Sequence, residues 1–377
     1  MNKKIIFLAL IFFAIITSFL LFFTNESKNE LASQILHDCK HDSRCAIEFL
    51  QDESEFYDKE TILDTIDELI LVYSESENLC HQNAHHLGDF VYGYLGDVTE
   101  SIEFVESTKC GGAVVHSIVK NHLDSQVLLY NFEPKQVDFL SICLDSFEYP
   151  TIDRWECLHG VGHGLASIYG YNMSNAVVAC QQFEDWEQIS CAKGLFMENV
   201  VRFNKSHDSD FDENDLSYPC SVIDDEITAP CYHYQPTYVG YSQPKLNNIV
   251  DYCETIEDEF SKNCFRGIGR LFASLVVSDI NKINLVCDPQ KFSYDKLTYC
   301  YQGVAMVFAD NRNISEALDV CQFIPNEFQH DCVHEVGKWV KLVHPDFDDI
   351  QKQCSQLNSE ELLKTCMDSK IYGISIL

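Results

Sequence analysis

Residues 253–276 read CETIEDEFSKNCFRGIGRLFASLV, and the frame they set recurs along most of the chain. Two cysteines, Cys253 and Cys264, stand 11 residues apart. After the second, Ile268, Leu271, Phe272, Leu275 and Val276 fall at i, i+3, i+4, i+7 and i+8, which predicts an amphipathic helix. The same frame opens as CLHGVGHGLAS at Cys157, CAKGLFMENVV at Cys191, CYQGVAMVFAD at Cys300 and CVHEVGKWVKL at Cys332. A shorter helical stretch leads into the first cysteine of a pair, as in NNIVDYC to Cys253 and ISEALDVC to Cys321.

Seven pairs follow this plan: Cys143/Cys157, Cys180/Cys191, Cys220/Cys231, Cys253/Cys264, Cys287/Cys300, Cys321/Cys332 and Cys354/Cys366. Their second members recur after 34, 40, 33, 36, 32 and 34 residues. A period of about 32–40 residues predicts an all-α chain, an α-solenoid of stacked helix pairs. Cysteines in register with that period predict one disulfide per pair, each closing a loop worth on the order of 3 kcal/mol. Cys80 (CHQNAHHLGDF) and Cys110 (CGGAVVHSIVK) open the frame without partners of their own and are expected to bond to each other. Cys39 and Cys45 then close a small loop. The repeat domain is expected over 80–377, after a helical region over 24–79, with a polar insertion at 204–219. Pro236, in CYHYQPTYVGY, is expected to disturb its helix unless it lies in the first turn.

The amino terminus carries Lys3 and Lys4, then an apolar run over 5–23 broken only by Thr17 and Ser18. Such a run spans roughly 28 Å as a helix, enough to cross a hydrocarbon core. It predicts a transmembrane signal-anchor, with a cleaved signal as the alternative. Residues 1–4 would form a cytoplasmic stub and the large domain would lie outside the cytoplasm. Persistent disulfides and the sequons at Asn25, Asn172, Asn204 and Asn313 suit an extracytoplasmic glycoprotein. A formal charge of −33 argues against nucleic acid as a partner.

The disulfide-stapled helix pairs from Cys80 to Leu377 resemble the TPR and Sel1-like class, especially its secreted cysteine-rich members, in architecture. That resemblance implies a curved α-solenoid that binds something on its concave face.

Function is expected at positions +2 and +6 after each second cysteine, which lie one turn apart and project together. These positions vary while glycines at +3 and +5 recur, and a constant frame with a variable polar stripe is the pattern of a repeat-protein binding surface. The stripe holds His86, His116, His159, His163, His233 and His334, then Arg266 and Arg270, which could clamp a carboxylate or phosphate. His81/His85 and His159/His163 are i, i+4 clips suited to a transition metal such as zinc or copper. The metal-ligand candidates are His81, His85, His86, His116, His159 and His163, with Met197 as a soft axial ligand. Glu198 is the only candidate for a general base, in a metal-dependent hydrolase or oxidoreductase.

Two other readings of the same stripe stay open: hydrogen-bonded structural histidines, and a metal-free scaffold for a protein or peptide partner. Covalent haem is excluded by the lack of a CxxCH motif. His334-Glu335 lacks the second histidine of a zincin, and Asp208, Asp210 and Asp212 only imitate the opening of a calcium loop.

Overall fold

The computed structural model describes residues 30–40, 42–74, 80–105, 110, 112–128, 133, 137–147, 151–206, 209–223, 227–311 and 313–371. Within these the chain is all-helical, with no strands, and its helices pack in adjacent pairs as in an α-solenoid. No helix among the described residues is long and apolar enough to cross a membrane; the expected anchor over 5–23, its stub over 1–4 and the sequon at Asn25 lie outside them.

One row of helices, long except for the last, forms the inside of the array. They are α1 (Cys80–Leu95), α2 (Ala113–Leu128), α3 (Ile152–Ile168), α4 (Asp185–Ser206), α5 (Thr228–Ser242), α6 (Asp258–Ser278), α7 (Tyr294–Asp310), α8 (Asn326–Val343) and α9 (Glu360–Asp368). Each packs on the next in chain order. Short helices such as Met173–Cys180, Leu246–Glu254 and Ile314–Phe323 lie between them in sequence, each ending at or just past the first cysteine of a pair. Asp42, Asp97 and Thr151 show why helices start where they do: each side chain accepts a backbone N–H from the first turn ahead of it.

The expected pairing is present. Seven disulfides join Cys143–Cys157, Cys180–Cys191, Cys220–Cys231, Cys253–Cys264, Cys287–Cys300, Cys321–Cys332 and Cys354–Cys366. Cys39–Cys45 closes the small loop near the start. Cys110 is also disulfide-bonded, while the side chain of its expected partner Cys80 lies outside the described residues.

Inner helices are covered on more than one side, so their apolar residues do not keep to one stripe. In α6, Ile268 and Val276 are buried and Leu271 and Phe272 partly so, while Leu275 is exposed; Phe265 and Gly269 fill the other buried side. Pro236 lies well inside α5, yet the helix runs through it, and Gly267 of α6 makes room for its ring.

Backbones in this row come very close. A Cβ on Gly194 of α4 would stand 1.9 Å from the His159 carbonyl oxygen of α3, and one on Gly162 of α3 would stand 2.0 Å from the Cys191 carbonyl oxygen of α4. Gly194→Ala must therefore push α3 and α4 apart. We expect the Gly194→Ala protein to lose about 1–3 kcal/mol of unfolding free energy, read from the shift of its denaturant midpoint. Gly93→Ala is the control, because its Cβ meets nothing within 4 Å; as a helical glycine it should give a gain of about 0.5–1 kcal/mol. Equal effects at the two sites would refute the packing argument.

The row also curls. The Trp155 ring of α3 meets the Trp339 ring of α8 edge-on, with centroids 5.2 Å apart, although 184 residues separate them. The inner face is thus an interior rather than an open concave surface over these helices.

The polar insertion is a built structure. Asp210 accepts from the Met173 N–H (2.9 Å) and the Tyr218 hydroxyl (2.9 Å), and its own N–H donates to Asn199 Oδ1 (2.9 Å). A carboxylate committed in this way serves the loop rather than calcium.

Candidate metal centre

Five histidines from three consecutive helices meet inside the row. His81 and His85 come from α1, His116 from α2, and His159 and His163 from α3. Two triads have ligand atoms within 4.8 Å of one another, His81/His85/His116 and His116/His159/His163. His116 belongs to both. Ring centroids are 4.6 Å apart for His116/His159, 5.1 Å for His159/His163 and 4.7 Å for His81/His85.

For His116, His163 and His81 an acceptor-only partner shows which nitrogen carries a proton. His116 Nε2 lies 2.6 Å from the Glu156 carboxylate, so it donates and Nδ1 holds the lone pair. His163 Nδ1 lies 2.9 Å from Glu198 Oε2, which leaves the lone pair on Nε2. His81 Nδ1 lies 2.8 Å from the Cys110 carbonyl oxygen, which leaves it on Nε2. His85 links Ser117 Oγ (2.8 Å) on one side to His81 Nε2 (3.1 Å) on the other. His159 Nε2 lies 3.4 Å from the Met197 sulfur. Two of the lone-pair nitrogens, His116 Nδ1 and His163 Nε2, are buried without a hydrogen-bond partner.

Burial favours the neutral form of His81, His116 and His159. It lowers the His81 pKa to about 4, with the Cys110 carbonyl pulling partly the other way. It also holds His116 and His159 well below the ordinary imidazole value, and neighbouring histidines add to the effect. Burial alone would raise the Glu198 carboxyl, but the hydrogen bond from His163, then Lys120 and the Tyr171 hydroxyl, bring it down to about 2. The sign for stability follows directly. In the unfolded chain these histidines titrate near 6.5, so on acidification the unfolded state takes up protons first. Stability is full above about pH 6.5 and falls as pH drops toward about 4. The metal-free protein should show a lower urea midpoint at about pH 5 than at about pH 7.5; an unchanged midpoint would contradict the burial of neutral imidazoles.

Not every candidate joins the cluster. His86 points away, with its Nδ1 2.8 Å from Ser43 Oγ of the helix Ser43–Glu53. The reason is helix register: Gly88 makes the close approach of α1 to α2, where a Cβ would lie 2.4 Å from the Val114 carbonyl oxygen. α1 presents His81 and His85 to the cluster instead. His334 is exposed, and its neighbour Glu335 turns inward in its place. Met197 and Glu198 both reach the cluster, through His159 and His163 respectively.

His233 and Arg266 sit apart from the cluster, lining a separate cavity of about 570 Å³. Arg266 donates to Gln302 Oε1 (2.9 Å) and stands 3.9 Å from Glu335. Arg270 lies over the Tyr234 ring, 4.2 Å from its centroid. Sequence reasoning missed Glu156, the carboxylate that orients His116. Its place just before Cys157 carried no signal, because its partner lies 40 residues away.

No family model, curated protein or solved structure matches this chain. It is a helical, disulfide-rich protein whose buried histidine groups could hold a metal ion.

Proposed function

We propose that this chain is a membrane-anchored, extracytoplasmic helical-repeat protein that holds one transition-metal ion, zinc or copper, among His81, His85, His116, His159 and His163. One observation carries the reading. Two buried imidazole nitrogens, His116 Nδ1 and His163 Nε2, lack hydrogen-bond partners while carboxylates hold the opposite edge of each ring. Unpaired buried acceptors cost free energy, and a carboxylate behind a histidine is the usual outer support of a metal-bound imidazole.

His116 has a single lone pair to give and belongs to both triads, so it limits the centre to one ion bound through it. The 3.1 Å between His81 Nε2 and His85 Nε2 is close to the ~3.4 Å separating nitrogens on a tetrahedral zinc ion. Met197 offers a thioether beside His159, a donor that favours copper. Glu198 has one oxygen on His163 and the other on Tyr171, 3.2 Å away, so we assign it to positioning His163 rather than to proton abstraction.

The rival reading, in which the histidine stripe recognises a protein or peptide, needs accessible side chains. His116, His159 and His163 are 2%, 5% and 2% exposed. The outward location is supported by the disulfides, which persist in oxidising compartments.

Elemental mass spectrometry on the detergent-solubilised full chain tests the proposal. About one equivalent of zinc or copper is expected. A folded protein that takes up neither metal on reconstitution would overturn it.

A further inference from the structure

The cavity of about 570 Å³ lies one helical turn beyond the histidines, and its contents differ in kind. Trp155 is four residues before His159 on α3, and Lys193 is four residues before Met197 on α4, so the two sites are successive levels of one interior. All three tryptophans of the chain, Trp155, Trp186 and Trp339, line this cavity, with Tyr299 beside them.

Its charge is unusual for a chain with a net charge of −33. Lys193, Arg266 and Lys338 line the interior, and Glu335 is the buried carboxylate they face. Glu335 is already engaged, 2.6 Å from Lys338 and 3.9 Å from Arg266. Lys193 has no carboxylate within 4 Å among the described residues. Its ammonium rests instead over two indole faces, 5.2 Å from the Trp155 centroid and 5.7 Å from that of Trp339. Burial lowers its pKa, Asp310 and Glu335 oppose that only through space, and Arg266 and Arg270 add to the lowering. Asp185 and Lys262 are exposed and oppose each other at the edge of the cavity.

We infer that this cavity binds a small planar organic anion, an aromatic carboxylate or phosphate, with its acid group at Lys193 and Arg266 and its ring against Trp155, Trp339 and Tyr299. The anion supplies Lys193 with a counter-charge in direct contact, and the volume lies within the ordinary range for small-molecule sites of about 300–1,000 Å³. Aromatic walls supply the apolar contact, and a few placed cations supply orientation. The site needs no metal.

The three tryptophans make the test direct. The full-length protein in detergent is titrated with 1-naphthyl phosphate and 1-naphthoate, and tryptophan emission is followed. Inorganic phosphate and the neutral 1-naphthol serve as controls. A ligand of this size at ordinary efficiency should saturate with Kd of about 1 mM or tighter. Both naphthyl anions should quench saturably, with 1-naphthol and inorganic phosphate each binding at least about tenfold more weakly. Lys193→Met should weaken the anions at least about tenfold with its helical circular dichroism retained, and Lys193→Arg should restore them.

Chelator-treated protein should bind the anions as the parent does, which separates this site from the metal centre. Three results would each overturn the inference: no saturable quenching by either anion up to about 10 mM, equal binding of 1-naphthol, or unchanged affinity in a folded Lys193→Met protein.

Discussion

Replacing His116 by alanine is expected to take the metal content of the protein from about one equivalent to background. No other residue has so large a share of the proposed centre. His116 is common to both triads and has a single lone pair to give. Its loss also strips Glu156 of a partner at 2.6 Å in a site where both side chains are 2% exposed. His86→Ala is the matched control, since that ring faces Ser43 and should leave the metal content intact. A second readout comes from thermal unfolding. A ligand present at about 100 times its Kd stabilises a folded state by about 2.7 kcal/mol, and added zinc or copper should lose that effect in the His116 variant alone. Parental metal stoichiometry in His116→Ala would end the proposal.

Thiol reduction should be the most damaging treatment of the fold itself. Each of the eight described disulfides closes a short loop, with sequence separations of 6 to 14 residues. For loops near the upper end of that range, closure is worth about 3 kcal/mol in chain entropy. Losing a handful of them exceeds the 5–15 kcal/mol that ordinarily holds a domain together. The helices they tie are short, as with Met173–Cys180 and Phe347–Cys354 at 8 residues, and helices of that length do not stand alone in water. Reduced and alkylated protein should lose most of its helical circular dichroism and its cooperative thermal transition. If it kept both, the staples would be ornaments on a core that folds without them.

Much of this was legible in the residues. The cysteine spacing alone gave the helix pairs and their pairing, because a disulfide in each repeat has to recur with the repeat. The i, i+4 spacing found His81/His85 and His159/His163, since one helix fixes that geometry locally. What stayed hidden depended on how helices turn against one another. His86 looked equivalent to His116 in a frame counted from cysteines, but the position of Gly88 sets the rotation of α1 and no cysteine records it. His334 is exposed and Glu335 buried although Gly337 keeps the place that Gly162 and Gly269 hold in the frame. The meeting of Trp155 with Trp339 was out of reach altogether, because it accumulates from small turns between many successive repeats.

The order of the cysteines has a consequence for how the chain acquires its bridges. Every described disulfide joins a cysteine to the very next one in sequence, from Cys39–Cys45 to Cys354–Cys366. For each of these bridges, a polypeptide made from its amino terminus presents the correct thiol as the most recent one. Eighteen cysteines allow a vast number of wrong connectivities on paper. Oxidation that keeps pace with chain emergence meets them two at a time, and the nearest choice is the native one.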